Sequence, residues 1–305
     1  MTRYVIKRVL RGVLTVFGVM VVSFFLLRLT GNPTRLLLSQ SATQAQVDAL
    51  SHQLGYDRPL IAQFGSFLVN AVQGNLGDSL VRHTSAFDLV IQRVPATFEL
   101  AVAAFLIGIV PAFVAAVLVQ ITGWRWLRTT LLWLGSIRQA IPVFVFGILL
   151  VLVFSIGLHL LPSQGNLKPT ALILPAVTMG TFELALYLRL FSSSLQRENS
   201  ADYVRTARSK GKGPIAIVLS DTLSNAVLPV LAVAGLNFGA LLGGAAVVEV
   251  VFNWPGVGQL MLTSVSGRDF PVVQAGLLVI SVIFVVVNLL IDLLHGVLDP
   301  RVRLS

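Results

Sequence analysis

The chain has no cysteine, which excludes disulfides, thiolate metal ligands and a cysteine nucleophile. Charge is scarce too. Charged residues are 11% of the 305, against about 25% in soluble globular domains, so most of the surface cannot face water. There are only four histidines, and His52, His83, His159 and His295 are scattered along the chain. No His-Glu-x-x-His zinc motif and no Gly-x-Ser-x-Gly elbow is present, which weighs against a membrane-embedded enzyme. No Gly-x-x-x-x-Gly-Lys-[Ser/Thr] phosphate cradle is present either, so ATP hydrolysis is not expected in this chain. No internal repeat and no broken helix is evident, which weighs against a secondary transporter built from inverted repeats with broken helices.

What the chain does have is apolar length: 55% of its residues are hydrophobic. Six runs are long enough to cross hydrocarbon about 30 Å thick. They are expected at 12–29, 99–121, 131–157, 172–193, 226–250 and 272–298. Each must be helical, because backbone groups in lipid can pair only within the segment. The expected fold is therefore an all-α integral membrane domain of six transmembrane helices over residues 1–305. Arg3, Lys7, Arg8 and Arg11 precede the first run, and no small-x-small cleavage site follows it. An uncleaved first helix is expected rather than a signal peptide.

The net charge of +9 sits mainly in short loops. With the N-terminus inside, the inside segments hold 13 Lys and Arg in 59 positions, and the outside segments hold 6 in 104. The positive-inside rule then puts both termini in the cytoplasm. The basic residues read as orientation signals and contacts for anionic membrane lipid, not as a nucleic-acid surface. Trp124, Trp126 and Trp133 fit an interfacial aromatic belt.

Two stretches between spans exceed a turn. Residues 30–98 form an extracytoplasmic segment after the first helix. In it, Ala42 to Gly55 reads as a helix ended by its glycine, and Asp57-Arg58-Pro59 begins a new element. Residues 194–225 face the cytoplasm. There Asp202 suits a helix N-cap and Gly211 a left-handed C-terminal stop. Pro214 suits the first turn of a second helix, expected to end near Asn225. A short basic surface helix results, which an ordinary lipid-attracted loop would also explain.

The pattern of that loop carries more. Asp202-Tyr203-Val204-Arg205-Thr206-Ala207-Arg208-Ser209-Lys210-Gly211, with Leu228-Pro229 downstream, resembles the cytoplasmic signature of ABC-importer permeases in the peptide, nickel and glutathione branch. Arg205-Thr206-Ala207 sits where the wider superfamily has Glu-Ala-Ala, and Gly211 is its fixed glycine. The resemblance extends over nearly the whole chain. Residues Leu54 to Leu60 and Gly74 to Ser79 look like the outer segment of the first permease subunit of such systems. Val248 to Leu260 is similar to the motif after the fifth helix, and Arg268 to Gln274 resembles the stretch entering the sixth. Asn32 and Asn75 depart from the pattern, since relatives often have acidic residues there.

The resemblance implies a type I importer permease fold and half of a translocation path for di- or oligopeptides or peptide-like solutes. It implies a second homologous permease subunit, two cytoplasmic ATPase subunits carrying ATP and Mg, and an extracytoplasmic solute-binding protein. Asp202, Tyr203, Arg205, Thr206, Ala207, Arg208, Lys210 and Gly211 would form the ATPase-docking element. No cofactor or metal is expected in this chain.

Within the spans, Gly235, Gly239 and Gly243 recur every fourth residue as a small stripe for close helix packing, against a partner or within the subunit. Arg138, Glu183 and Asn237 are the translocation-path or buried polar candidates, since ionisable residues in spans seldom face lipid. At 1.5 Å rise per residue, Arg138 and Glu183 come out about 5 Å apart in depth, so they are expected to pair or to line one polar cavity. Asp292 and His295 are read as reaching the inner interface.

Overall fold

The computed structural model describes residues 2–29, 34, 38 and 42–298, with side chains within 5–29, 34, 38 and 42–293. Asn32, Arg35 and residues 299–305 lie outside the described residues, as do the side chains of Arg3 and His295. The described chain is helical without a named strand, apart from an isolated antiparallel bridge between Asp78 and Ser85.

Among the described residues, five helical stretches are long and apolar enough to cross a membrane: Val5–Leu29, Ala86–Thr122, Pro169–Asn199, Pro214–Val251 and Phe270–Leu293. A sixth span is a broken pair, Arg125–Ala140 with Val143–Gly157, bent by 103°. The straight helix expected over 131–157 is thus corrected, and the reason is local. Pro142 has no N–H to donate, and its ring pushes the preceding residue out of the helical region. Ile141 accordingly sits at φ −88°, ψ 124°. A broken helix was one of the features whose apparent absence weighed against a secondary transporter, so that part of the sequence argument falls.

Helix α1 is Thr2–Leu29. Helix α2, Gln44–Gln53, begins with a capping box in which Thr43 and Gln46 each serve the other's backbone N–H. It ends into Gly55 at φ +71°, as the sequence indicated. Helix α3, Leu60–Val72, follows Pro59, and α4 is Ala86–Ile91. Then come α5, Val94–Thr122, α6, Arg125–Ala140, and α7, Val143–Leu150, prolonged by a π turn to Gly157. Helix α8 is Ile173–Asn199 and α9 is Asp202–Ser209. From Pro214 the chain is helical through a π segment, Ile217–Thr222, into α10, Leu223–Val251. The separate second helix ending near Asn225 is therefore not seen. Nothing between 214 and 251 interrupts helix formation, because Pro229 is tolerated within α10. Helices α11, Val257–Ser266, and α12, Phe270–Leu298, complete the described residues.

Two compact sets of contacts organise these elements. In the first, Phe98–Trp254 with the chain from Val287, α8 is central. Ala112 and Ala116 of α5 and Ala226, Val230 and Ala234 of α10 pack on Tyr187, Leu188, Phe191 and Leu195 of α8. Small residues allow this approach. A Cβ on Gly180 would lie 2.4 Å from the Ala104 carbonyl oxygen, and one on Gly135 would lie 2.3 Å from the Ala185 methyl. In the second set, Thr2–Thr97 with Pro255–Val286, Leu76, Ala86 and Val90 pack on Val257, Leu260, Val272, Ala275 and Val279. Phe24 of α1 stacks on Phe67 of α3 at 5.7 Å between ring centroids.

Candidate functional site: an exposed polar helix and three buried polar clusters

Helix α9 is shaped by two buried residues. Val204 (0% exposed) and Ala207 (8%) are three apart on one face and form a small core with Ile217. Burying a valine fully is worth about 1.5–3 kcal/mol, enough to fix the face but not to immerse the helix. The other positions from Asp202 to Lys210 are exposed.

The ends of α9 are held by hydrogen bonds. Arg208 Nη2 donates to Asn199 Oδ1 at 2.9 Å, and Tyr203 donates its hydroxyl to the Glu198 carboxylate. Burial first, then the Glu198 contact, holds the Tyr203 phenol above its ordinary pKa. It is therefore a neutral donor at physiological pH. The helix stops at Gly211 with φ +81°, where the Gly211 N–H reaches the Arg208 carbonyl at 2.9 Å. Lys212 pairs with Asp221 at 2.8 Å.

Asp202 does not take the expected cap position. Ala201 is the N-cap and makes no side-chain cap bond. Asp202 is the first helical residue, with its carboxylate 3.7 Å from Arg205 Nη1. A first-turn carboxylate still favours the positive helix end. Arg205 remains 79% exposed at its side chain.

Within the spans, Arg138 and Glu183 do not pair. Arg138 Nη2 donates to the Thr178 carbonyl at 2.6 Å, Nε to the Thr181 hydroxyl at 3.1 Å, and Nη1 to the Ile141 carbonyl at 3.2 Å. Its guanidinium lies 3.9 Å from the Phe146 ring centroid. Glu183 accepts instead from Asn237 Nδ2 at 3.1 Å, which joins α8 to α10. The depth count assumed a straight third span. The break at Pro142 leaves the Ile141 carbonyl outside the helical ladder, and the arginine three residues before it covers that oxygen. Glu183 projects about 140–160° around α8 from Thr178 and Thr181, toward a different neighbour.

The glycine stripe divides. A Cβ on Gly235 would lie 2.4 Å from Ile291 Cγ2, Gly239 is buried, and a Cβ on Gly243 would meet nothing within 4 Å. Approaches as tight as that of Gly235 fall at Gly135 and Gly180, whose lone glycines gave no periodic signal.

A third cluster joins two stretches that the sequence marked separately. Ser79 donates to Asp269, whose Oδ1 also accepts the Leu80 N–H at 3.0 Å. The Ser79 hydroxyl in turn accepts the Arg82 N–H at 2.9 Å. Ser79 and Asp269 are 1% and 3% exposed. In the same unit, the Thr97 hydroxyl accepts the Val257 N–H at 2.8 Å. Among the described residues no group of three or more His, Cys, Asp or Glu is placed to hold a metal ion.

Residues 108–304 match the family described as binding-protein-dependent transport system inner membrane component, and residues 1–101 match the N-terminal component of the same systems. The chain belongs to that family. The permease is 38% identical to the glutathione transport system permease protein GsiC of Escherichia coli over 304 residues, 99% of both chains. It is 37% identical to the protein of that name in Shigella flexneri, with the same coverage. In fold it is similar to the MetNI methionine ABC transporter in an inward-facing conformation (TM-score 0.54, 19% identity, 69% of this chain and 96% of that one). It is also similar to an amino acid ABC transporter (TM-score 0.50, 18% identity, 70% and 94%). The permease is thus the membrane component of an ABC importer, a multi-pass inner-membrane protein that works with ATPase and binding-protein partners.

Proposed function

We propose that the permease forms half of a translocation path for di- or oligopeptides or peptide-like solutes such as glutathione. A second homologous permease supplies the other half. Two cytoplasmic ATPase subunits, which carry ATP and Mg, drive it, and an extracytoplasmic solute-binding protein delivers the solute to the 30–98 side. Both termini and residues 194–225 lie in the cytoplasm. The solute class is supported by 38% identity along 99% of the chain to a glutathione permease.

The observation that carries the coupling role is the build of α9. Its apolar face is small and seated on Ile217, while Asp202, Tyr203, Arg205, Thr206, Arg208 and Lys210 are presented outward. Ala207 seats the helix, and Gly211 ends it. A short rigid helix of this kind transmits displacement as a unit when ATPases close, because packed elements switch between discrete arrangements. Arg205 and Lys210 meet acidic residues of the ATPase. Arg138 and the Glu183–Asn237 contact hold the spans around the path.

The test is co-purification of the tagged permease in mild detergent with its ATPases, followed by ATP turnover and solute uptake. Arg205→Glu and Gly211→Val are expected to leave the chain in the membrane and to lower ATPase recovery and uptake at least tenfold. Normal recovery and uptake in both variants would refute the coupling role.

A further inference from the structure

In the unit formed by Thr2–Thr97 and Pro255–Val286, a cavity of about 250 Å³ opens between the end of α1, one face of α3 and the Asn75–Gly77 turn. Its lining includes Arg28, Arg58, Gln63 and Gln274, and no acidic residue. Three polar atoms on these walls are buried without a hydrogen-bond partner: Arg28 Nε, Gln63 Oε1 and Gln274 Nε2. Gln63 and Gln274 are only 8% and 7% exposed. The Gln63 amide nitrogen already donates to the Tyr56 and Arg58 carbonyls at 3.2 and 2.8 Å, so its oxygen is fixed in direction. Leaving a buried polar group unsatisfied is costly. Three of them around one cavity describe a site that a ligand completes.

The guanidinium is held from behind by aromatic faces, 4.4 Å from the Tyr56 centroid and 5.0 Å from that of Phe24. Cation–π contact and a side-chain hydrogen bond with Tyr56 orient it, while Nε stays without a partner. The unpartnered atoms are therefore a guanidinium and an amide donor beside one amide acceptor. The complement is an oxyanion with a nearby N–H or O–H donor.

Position selects the source. Arg28 lies in the last turn of α1, at the end of an apolar span covering Val5–Leu29, which is headgroup depth. The α3 wall is inverted relative to a water-facing helix. Gln63, Ser66 and Asn70 face the cavity, while Ile61, Val69 and Val72 are 81%, 57% and 88% exposed on the other side. At 13 residues α3 is too short to span hydrocarbon. A helix with its apolar side outward beside a span end suits the boundary between headgroups and acyl chains.

We propose that this cavity binds a phospholipid headgroup, with the phosphate on Arg28 and Gln274 and the ammonium or hydroxyl of the headgroup on Gln63 Oε1. A free peptide-like zwitterion shares the headgroup chemistry, and the experiment separates the two.

The full-length permease is purified in mild detergent and delipidated, then titrated with phosphatidylethanolamine or phosphatidylglycerol and read by native mass spectrometry. A dialanine titration runs in parallel. Wild type is expected to retain one phospholipid. Retention is expected to fall about tenfold in Arg28→Gln, the loss of roughly one charge-assisted hydrogen bond, and to stay unchanged in Arg82→Gln, an exposed cation outside the cavity. Ser66→Phe fills the cavity from an exposed helix position, so it keeps the test open if Arg28→Gln fails to fold. Equal retention in wild type and Ser66→Phe overturns the proposal. Saturable dialanine binding that displaces the lipid, or occurs without it, assigns the cavity to the solute and overturns it too. The readout is lipid mass and not ATP turnover, so failure here is distinct from failure of the importer reading.

Discussion

Two motif-bearing regions of this permease are built by opposite means. In α9 the buried part is apolar and small, Val204 and Ala207 against Ile217, and the polar side chains are outside. Where Ser79 meets Asp269 the buried part is polar, with one carboxylate accepting from a hydroxyl and a backbone amide. An apolar contact is non-directional, and the hydrogen bonds at the ends of α9 join exposed side chains for which water can substitute, so the element resting on it can rock and reseat. A buried hydrogen-bond network tolerates one arrangement only, because each displaced donor is left unsatisfied in a low dielectric. The first construction suits a part that moves under load, and the second suits a fixed frame.

The contrast is best broken at its stiff end. Asp269→Ala strands the Ser79 hydroxyl and the Leu80 amide, and is expected to cost at least about 3 kcal/mol. It should appear as lower expression and a lower midpoint of thermal unfolding in detergent; an unchanged midpoint would mean the network is not the frame.

At the other end, Val204→Ala removes two methyl groups from a three-residue core and is expected to cost about 1–2 kcal/mol. The loss should be local. Hydrogen exchange should quicken from Asp202 to Ser209 while the global midpoint hardly moves. A fall in the midpoint like that of Asp269→Ala would erase the distinction between the regions.

Gly211→Val tests the stop alone. A Cβ there meets nothing within 4 Å, so the cost is the left-handed backbone, about 1–2 kcal/mol, again read by exchange in α9. The smallest effect is a coupling energy. Because Arg138 and Glu183 have separate partners, Arg138→Gln and Glu183→Gln should be additive in unfolding free energy to within about 0.5 kcal/mol. A clear excess in the double-mutant cycle would restore the ion pair that the structure does not contain.

The sequence disclosed features that depend on local chemistry. Apolar length located the spans, Gly55 and Gly211 marked their helix ends, and Pro214 marked a helix start. It concealed features set by tertiary geometry. Pro142 lies inside a run that reads as one span, and only the extended conformation of Ile141 turns it into a 103° break. Arg138 and Glu183 were matched by depth, which ignores direction around the helix axis. The helix approaches at Gly135 and Gly180 depend on what lies opposite, and single glycines carry no pattern. Ser79 and Asp269 belong to recognisable motifs, yet 190 residues separate them and nothing in either motif names the other. Asp202 was displaced by one position, since an N-cap and a first-turn carboxylate look alike in sequence.

The broken third span also bears on how the chain enters the bilayer. Two of the oxygens that satisfy Arg138 belong to Thr178 and Thr181, 40 and 43 residues downstream. During synthesis the arginine reaches the insertion machinery before either exists. Unaccompanied at the centre of a membrane helix, an arginine costs about 2.5–3.5 kcal/mol to insert. Its segment is therefore expected to gain its full preference for lipid only when α8 arrives, and the third and fourth spans to enter as a pair. Pro142 and Arg138 set an order of assembly as well as a bend.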